Sequence, residues 1–287
     1  MPSLIDIRRR IRSVKNTQQI TKAMKMVSAA KLRKAQDRVI AARPYARILE
    51  NILANIAASS DDDERVMSHP LLARRPEKHV QLILMTSDRG LAGAFNSNLI
   101  KGAQTFIAEH PGAEISFELV GRKGRDFFRR RNASVTGEHI GVFNKVQLAS
   151  ATAIAQTAAE RFAKGETDSV YLIYNEFKSV VSQKITLKQL LPMSLPDVKA
   201  ATVDYIFEEP PAQLLGGLLP KYVENAIFTA MLESVSSEHA ARMTAMDAAS
   251  SNAADVIERL TLYMNRVRQA SITKEIIEVV SGAAALE

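Results

Sequence analysis

The sequence contains no cysteine and no tryptophan, and each absence excludes a class of chemistry. Without cysteine, the chain forms no disulfide framework, holds no thiolate zinc site and has no cysteine nucleophile. Aromatic residues make up only 6% of the chain, which argues against an aromatic surface for stacking single-stranded nucleic acid. No stretch approaches the ~18 uninterrupted apolar residues that a membrane span requires. The segment from Met1 to Arg12 also lacks the apolar core and cleavage site of a secretory signal.

What the sequence has instead is basic charge, and that charge is concentrated at one end. The 287 residues carry a net charge of +7. Residues 1–50 contain thirteen basic and three acidic residues, whereas residues 200–287 contain six basic and twelve acidic residues. Because the two ends have opposite charge, we expect part of the basic surplus to be neutralised within the chain. The remainder indicates an acidic partner.

The N-terminal end predicts one long helix. Its apolar residues recur in steps of three and four, which is typical of a helix with an apolar stripe facing a partner helix. Ser3 is expected to cap the helix, with Asp6 three positions later, and Pro44 is expected to kink it near Arg43. The predicted stripe consists of Leu4, Ile7, Ile11, Val14, Ile20, Met24, Val27, Leu32, Ala35, Val39, Ala42, Ala46, Leu49, Leu53 and Ile56.

The apolar residues of the C-terminal end also recur in steps of three and four. A break is expected at Gly216, Gly217 and Pro220, followed by a helix from Lys221 to about Ser281. Such a helix is about 90 Å long, too long for a compact domain, so we expect it to pair with the N-terminal helix in an antiparallel coiled coil. An ordinary helical bundle is the alternative. The predicted stripe consists of Met246, Ala249, Ala253, Val256, Leu260, Tyr263, Val267, Ala270 and Ile277.

The middle of the chain predicts an α/β domain. Short apolar runs typical of buried strands alternate with helical segments, which favours a mostly parallel, Rossmann-like sheet. The fold class is therefore α/β: a long antiparallel coiled coil of the N- and C-terminal helices plus a central Rossmann-like domain. The predicted strands are residues 80–86, 115–120, 133–140 and 169–177, with a hairpin partner in residues 180–191.

We divide the chain accordingly into three segments. Residues 1–59 form a first shaft helix, residues 76–208 form the Rossmann-like domain, and residues 209–287 form a second shaft helix that pairs with the first. Residues 60–75 are left without an assignment.

The turn from Ser87 to Gly93 follows the first predicted strand and invites a nucleotide-binding interpretation. Its two glycines could bring backbone N–H groups close to a phosphate. However, the spacing matches neither G-x-G-x-x-G nor a P-loop, so a structural turn or a protein contact is favoured. None of the five histidines has the spacing of a metal site, so neither a metal nor a cofactor is expected. Nucleic-acid binding is disfavoured, because the basic residues of the first helix surround it instead of lining one face.

Three segments of the sequence resemble the gamma subunit of the F-type ATP synthase. They are IRRRIRSVKNTQQITKAMKMV at residues 7–27, SDRGLAGAFN at residues 87–96, and ITKE at residues 272–275, followed by Glu278 and by SGAAA at residues 281–285. Many members of that family carry Cys where Ala92 stands, and usually Gly where Ala94 stands. Because the segments lie at both ends and in the middle, the resemblance covers the whole chain.

The resemblance implies a two-helix shaft, a Rossmann-like foot and the role of a central rotor stalk. The shaft would stand inside a ring of three alpha and three beta subunits, and the foot would bind the epsilon subunit and the ring of c subunits. Proton flow would turn the rotor, and the shaft would drive the beta subunits through their conformations. The chain itself would carry no catalytic residue.

The resemblance also implies site residues and a location. The expected location is the cytoplasmic face of a bacterial inner membrane, with attachment only through partner subunits. A free-standing Rossmann-like nucleotide-binding protein with a coiled-coil arm is the alternative. Contact with beta subunits and coupling are implied for Met24, Lys25, Arg89, Arg266, Gln269, Thr273 and Glu275, and contact with epsilon and the c ring for Asp204, Tyr205, Phe207 and Glu208.

Overall fold

The computed structural model describes residues 3–59, 69–193 and 209–284. The chain divides into two compact units, one formed by residues 1–28 with 243–287 and the other by residues 29–242. Within the described residues, no helix is long and apolar enough to cross a membrane. The elements are α1 (Leu4–Ser59), β1 (His79–Met85), α2 (Phe95–Glu109), β2 (Glu114–Val120), α3 (Arg122–Arg129), β3 (Ser134–His139), α4 (Leu148–Ala163), β4 (Ser169–Phe177), β5 (Gln183–Leu191) and α5 (Pro211–Ala284), with short 3₁₀ helices at Pro70–Leu72 and Val142–Asn144.

The start of α1 has the predicted cap. The hydroxyl oxygen of Ser3 accepts a hydrogen bond from the backbone N–H of Asp6 at 3.2 Å, and this hydroxyl donates to the Asp6 carboxylate at 2.9 Å. The bond satisfies one of the N–H groups that have no partner within the first helical turn. Pro44 lies inside α1, which continues beyond it to Ser59.

The predicted break before the second long helix is wrong. α5 begins at Pro211 and runs through Gly216, Gly217 and Pro220 without interruption. An interior Gly costs about 1 kcal/mol and an interior Pro about 3 kcal/mol of helix stability. Leu215 and Leu219 are fully buried in the core of the second unit. We attribute the continuous helix to this apolar burial, which opposes the intrinsic cost of the three residues.

The second unit contains a five-stranded sheet in the order β3-β2-β1-β4-β5. β1 pairs in parallel with β2 and with β4, β2 pairs in parallel with β3, and β5 pairs antiparallel with β4. The mostly parallel sheet and the antiparallel hairpin at its edge confirm the expected Rossmann-like arrangement.

The central strand β1 is buried on both faces. Val80, Leu82 and Leu84 pack into one core with α2 and α3. Ile83 and Met85 pack into the other core, together with α4 and with the parts of α1 and α5 that belong to this unit. Burial on both sides explains why this strand reads as a continuous apolar run with little alternation.

The first unit is an antiparallel pair formed by the start of α1 and the end of α5. The hydroxyls of Thr21 and Ser250 lie 2.7 Å apart, and the ammonium of Lys25 lies 2.6 Å from the Asp247 carboxylate. Because the residue numbers rise along one helix as they fall along the other, these pairs confirm the predicted antiparallel orientation.

Candidate functional site

The seam of the coiled coil becomes polar in its middle. The buried and half-buried positions of α1 recur in steps of three and four, with the predicted Met24 half-buried next to Lys25, and polar residues occupy most of these positions after Val14. Ile20 and Val27, which were expected on the stripe, are 60% and 56% exposed, so that part of the prediction is wrong. The seam positions are Leu4, Ile7, Ile11, Val14, Gln18, Thr21, Lys25 and Ser28.

The same difference occurs on α5. Val256 and Tyr263 were expected on the stripe, but they are 37% and 40% exposed. Ile257 and Met264, one position later in each case, are half-buried. The cause is the regular 3.5-residue repeat of a coiled coil, which sets the seam even where the residue at that position is polar or small. The seam positions are Met246, Ser250, Ala253, Ile257, Leu260, Met264, Val267 and Ser271.

The middle of the first unit is therefore polar inside and apolar outside. The Gln18 amide donates to the Ser250 carbonyl at 3.3 Å, next to the bond between the Thr21 and Ser250 hydroxyls. On the outside, Ile20, Met26 and Val27 are more than half exposed. As a result, less apolar surface is buried between the two helices, and apolar side chains are exposed on the outside.

The coupling residues implied for this unit lie at two separate positions along the coiled coil. Met24 is half-buried and precedes Lys25, which is paired with Asp247. Residues 266–275 begin about twenty residues beyond Asp247 along α5, roughly 30 Å away. Arg266, Gln269, Thr273 and Glu275 are all exposed. The structure thus does not bring the two groups together.

Lys25 has a partner within the chain. Its ion pair with Asp247 is the one such pair that joins α1 to α5 among the described residues of this unit. The expectation that the acidic C-terminal helix neutralises the basic N-terminal helix is therefore met at a single direct contact. Arg8, Arg9, Arg10 and Arg12 are exposed, so their charge faces outward.

The last described part of α5 extends past the start of α1. The pairing of Thr21 with Ser250 places Leu4 opposite about residue 267, so residues 272–284 have no α1 residue opposite them among the described residues. The Thr273 hydroxyl donates to the Gln269 carbonyl of its own helix at 3.0 Å. Apolar side chains in this stretch are exposed, namely Ile272, Ile276, Ile277, Val279 and Val280.

In the second unit, the residues of the Ser87–Asn96 motif form a hydrogen-bonded turn at the carboxyl end of β1. The Ser87 N–H donates to the Asn96 amide oxygen at 2.9 Å. The Asp88 carboxylate accepts from the backbone N–H groups of Arg122, at 3.1 Å, and Gly141, at 3.0 Å. Asp88 thereby joins the loops that follow β1, β2 and β3, which is a structural role.

Gly121 permits the close contact between two of these loops. Its φ is +96°, and a Cβ atom there would lie 1.9 Å from the Thr86 carbonyl oxygen. Only glycine tolerates that backbone conformation together with that approach. The close contact between the segment after β2 and the end of β1 therefore requires glycine at position 121.

A buried ion pair on α5 contacts this turn, and sequence reasoning missed it. Arg242 donates to the Glu238 carboxylate at 2.6 Å and to the Gly90 carbonyl at 3.3 Å, and both charged residues are buried. Burial raises the pKa of Glu238, and Arg242 opposes that shift. Burial, together with Arg242 and Lys31, lowers the pKa of His239 to about 4. The signal in the sequence was the Glu–Arg spacing of four residues on a helix.

The tip of the turn faces outward. Arg89 is exposed. Leu91 is 63% exposed and has a φ of +63°, which is unusual for a leucine. The polar groups of Ser87 and Asp88 are bonded within the chain, and Gly90 is bonded to Arg242. These bonds favour a structural turn with an exposed tip over a phosphate-binding loop.

The residues implied for contact with epsilon and the c ring, Asp204, Tyr205, Phe207 and Glu208, lie outside the described residues.

Known proteins match this chain across both of its units. A family model described as ATP synthase matches residues 3–286. The ATP synthase gamma chain of Solibacter usitatus is 67% identical over the full length of both chains. The chain belongs to the ATP synthase gamma chain family. The gamma chain of Pelotomaculum thermopropionicum is 52% identical, again over the full length of both chains.

Chains from solved structures of mitochondrial ATP synthases are similar in fold to this chain. A chain from the central stalk and c ring of the Tetrahymena thermophila mitochondrial ATP synthase matches with a TM-score of 0.62 and 26% identity, covering 80% of this chain and 99% of that one. A chain from the Euglena gracilis mitochondrial ATP synthase matches with a TM-score of 0.66, covering 99% and 94% respectively. Its identity is only 18%, so that match shows the fold alone.

Proposed function

We propose that this chain is the central rotor stalk of a proton-translocating F-type ATP synthase. It couples rotation of the c ring to ATP synthesis at catalytic sites on the beta subunits and is itself non-catalytic. The observation that carries the proposal is the 67% identity to an ATP synthase gamma chain over the full length of both proteins.

The surface chemistry of the first unit supports this role. A rotor must turn within its bearing, so deep and specific sockets would hold it in place. The outward residues here include exposed apolar side chains such as Ile20, Val27 and Ile277, together with the exposed arginines of α1. Apolar contacts are non-directional, and long-range charge attracts an acidic partner without fixing one geometry.

We assign the contacts as follows. The alpha and beta subunits surround the first unit, and the exposed tip at Arg89 is a further contact with a beta subunit. The foot binds epsilon and the c ring, which hold the chain at the cytoplasmic face of a bacterial inner membrane. The proposed coupling residues are Met24, Lys25, Arg89, Arg266, Gln269, Thr273 and Glu275, and the proposed foot contacts are Asp204, Tyr205, Phe207 and Glu208.

A charge placed at the proposed beta contact tests this assignment. In membrane vesicles that contain the whole complex, Met24→Lys is expected to reduce ATP-driven proton pumping more than ATP hydrolysis. The substitution adds a cation beside Lys25, which strengthens attraction to an acidic loop and resists turning. The matched control is Ile40→Lys, an exposed apolar position on the same helix outside the proposed contact. Equal loss of pumping and hydrolysis with Met24→Lys would contradict the assignment.

The end of α5 offers a second test. Removal of the residues after Gly282 is expected to leave assembly of the complex intact, since the removed segment AAALE is mostly alanine and small apolar side chains contribute little specific binding. The measurement is the yield of intact complex after purification. Failure to assemble would show that the tip provides an essential binding site.

A further inference from the structure

Glu233 on α5 has a buried carboxylate oxygen without a hydrogen-bond partner in the described part of the chain. The hydroxyl of Thr229, one helical turn earlier, is also buried and has no partner there. Residues four apart lie on the same face of a helix, so the two unpartnered side chains share one face of α5. Buried polar groups are normally hydrogen-bonded, so this pair requires an explanation.

Of the three cations that face Glu233, two contact other side chains and the third is exposed to solvent. After β4, the ammonium of Lys178 lies 2.5 Å from the carboxylate of Glu176. On β5, the Lys188 ammonium lies over the Tyr222 ring, 5.4 Å from its centre. On α1, Arg43 is exposed to solvent. None of the three forms an ion pair with Glu233 among the described residues.

Strand β4 carries groups that oppose a negative charge on Glu233. On β4, the half-buried Tyr174 and the carboxylate of Glu176 both interact electrostatically with Glu233. Burial and the Glu176 charge raise the pKa of Glu233 to about 7, and Arg43, Lys178 and Lys188 offset only part of that shift. A carboxyl group in such surroundings is better accommodated as the neutral acid than as the anion.

We propose that Glu233, with Thr229 beside it, is a proton-binding site between α5 and the β4–β5 hairpin. The bound proton keeps the buried carboxyl neutral while α5 packs against the sheet. Loss of that proton to solvent leaves a second carboxylate close to Glu176, and this repulsion weakens the packing of α5. The foot is therefore more tightly packed below neutral pH than above it.

Carboxyl NMR on the full-length chain tests the site directly. With glutamate labelled with ¹³C at the side-chain carboxyl, we expect one resonance to titrate with a midpoint near pH 7 and to be missing in Glu233→Gln. The matched control, Glu258→Gln, removes an exposed carboxylate from the same helix and should leave that resonance in place. A midpoint below pH 5.5 for the resonance lost in Glu233→Gln would overturn the proposal.

Two charge variants test the surroundings without changing Glu233. Glu176→Gln removes the facing negative charge and should lower the pH midpoint of the Glu233 titration. Arg43→Gln removes a favourable cation and should raise that pH midpoint. Shifts in these opposite directions support the site, and unchanged midpoints in both variants would contradict it.

The pH dependence of unfolding provides a further readout. The pKa of Glu233 is raised on folding, so its stabilising contribution is complete below about pH 4.5 and is lost as the pH rises through about 7. The wild-type denaturation midpoint should therefore fall relative to that of Glu233→Gln across this window. Parallel curves for the two proteins would contradict the proposal.

Discussion

The two long helices have very different surroundings in the two units of the molecule. Within residues 29–242, they bury large apolar side chains such as Leu53, Ile56 and Leu215 against the sheet and α4. Within the first unit, each helix packs mainly along a seam that contains polar and small residues. The difference indicates that the second unit supplies most of the folding stability, whereas the first unit leaves several apolar side chains exposed.

The largest expected effect comes from the core of the second unit. Leu53→Ala should destabilise the chain by about 2–5 kcal/mol, because it leaves a cavity at a fully buried position. Ile20→Ala, on the same helix in the first unit, should change stability by less than about 0.5 kcal/mol. Denaturant unfolding of the two variants measures both effects, and equal losses would contradict the comparison.

The buried ion pair behind the Ser87–Gly93 turn should produce the next largest effect. Arg242→Met leaves Glu238 buried without its partner and should cost about 3 kcal/mol. The double variant with Glu238→Gln should recover much of that loss, because no unpaired charge remains.

The stability of the Arg242→Met variant should also change with pH in a defined direction. Arg242 holds down the pKa of Glu238, so its removal lets the folded-state pKa rise further above the unfolded value. The stability of Arg242→Met should therefore decline as the pH rises from 5 to 8, more steeply than that of the wild type. Thermal melts at the two pH values measure this decline, and an equal decline in both proteins would argue against a buried, unpaired Glu238.

The smallest expected effect lies in the polar seam. The double variant Thr21→Val with Ser250→Ala removes both partners of one hydrogen bond and replaces them with apolar groups. Its stability should stay within about 1 kcal/mol of the wild type, since removal of both partners leaves no orphaned hydroxyl. A loss above about 2 kcal/mol, measured by denaturant unfolding, would show that the polar layer is a major source of stability.

Much of the fold could be predicted from local patterns. The strands of the sheet are short apolar runs. The predicted apolar positions of α1 are buried or half-buried from Leu4 to Val14 and again from Leu32 onward. The prediction failed at Ile20 and Val27 because it followed apolar residues instead of the regular repeat. It failed at Gly216, Gly217 and Pro220 because packing in the core outweighed helix propensity.

The candidate site was less predictable for a physical reason. Glu238 and Arg242 meet the turn at Gly90 only in the folded chain, about 150 residues away in sequence. Contacts with other subunits depend on the shape and charge of those subunits, which a single chain does not encode. The roles of Arg266, Gln269, Thr273 and Glu275 therefore remain predictions.

Rotation of this chain inside its complex is the most direct test of the proposed function. The chain has no cysteine, so Val181→Cys, at the highly exposed turn between β4 and β5, provides a single attachment point for a visible probe. With the complex fixed to a surface through its beta subunits, ATP should drive the probe to rotate continuously in one direction. A stationary probe on complexes that still hydrolyse ATP would contradict the proposal that this chain is the rotor.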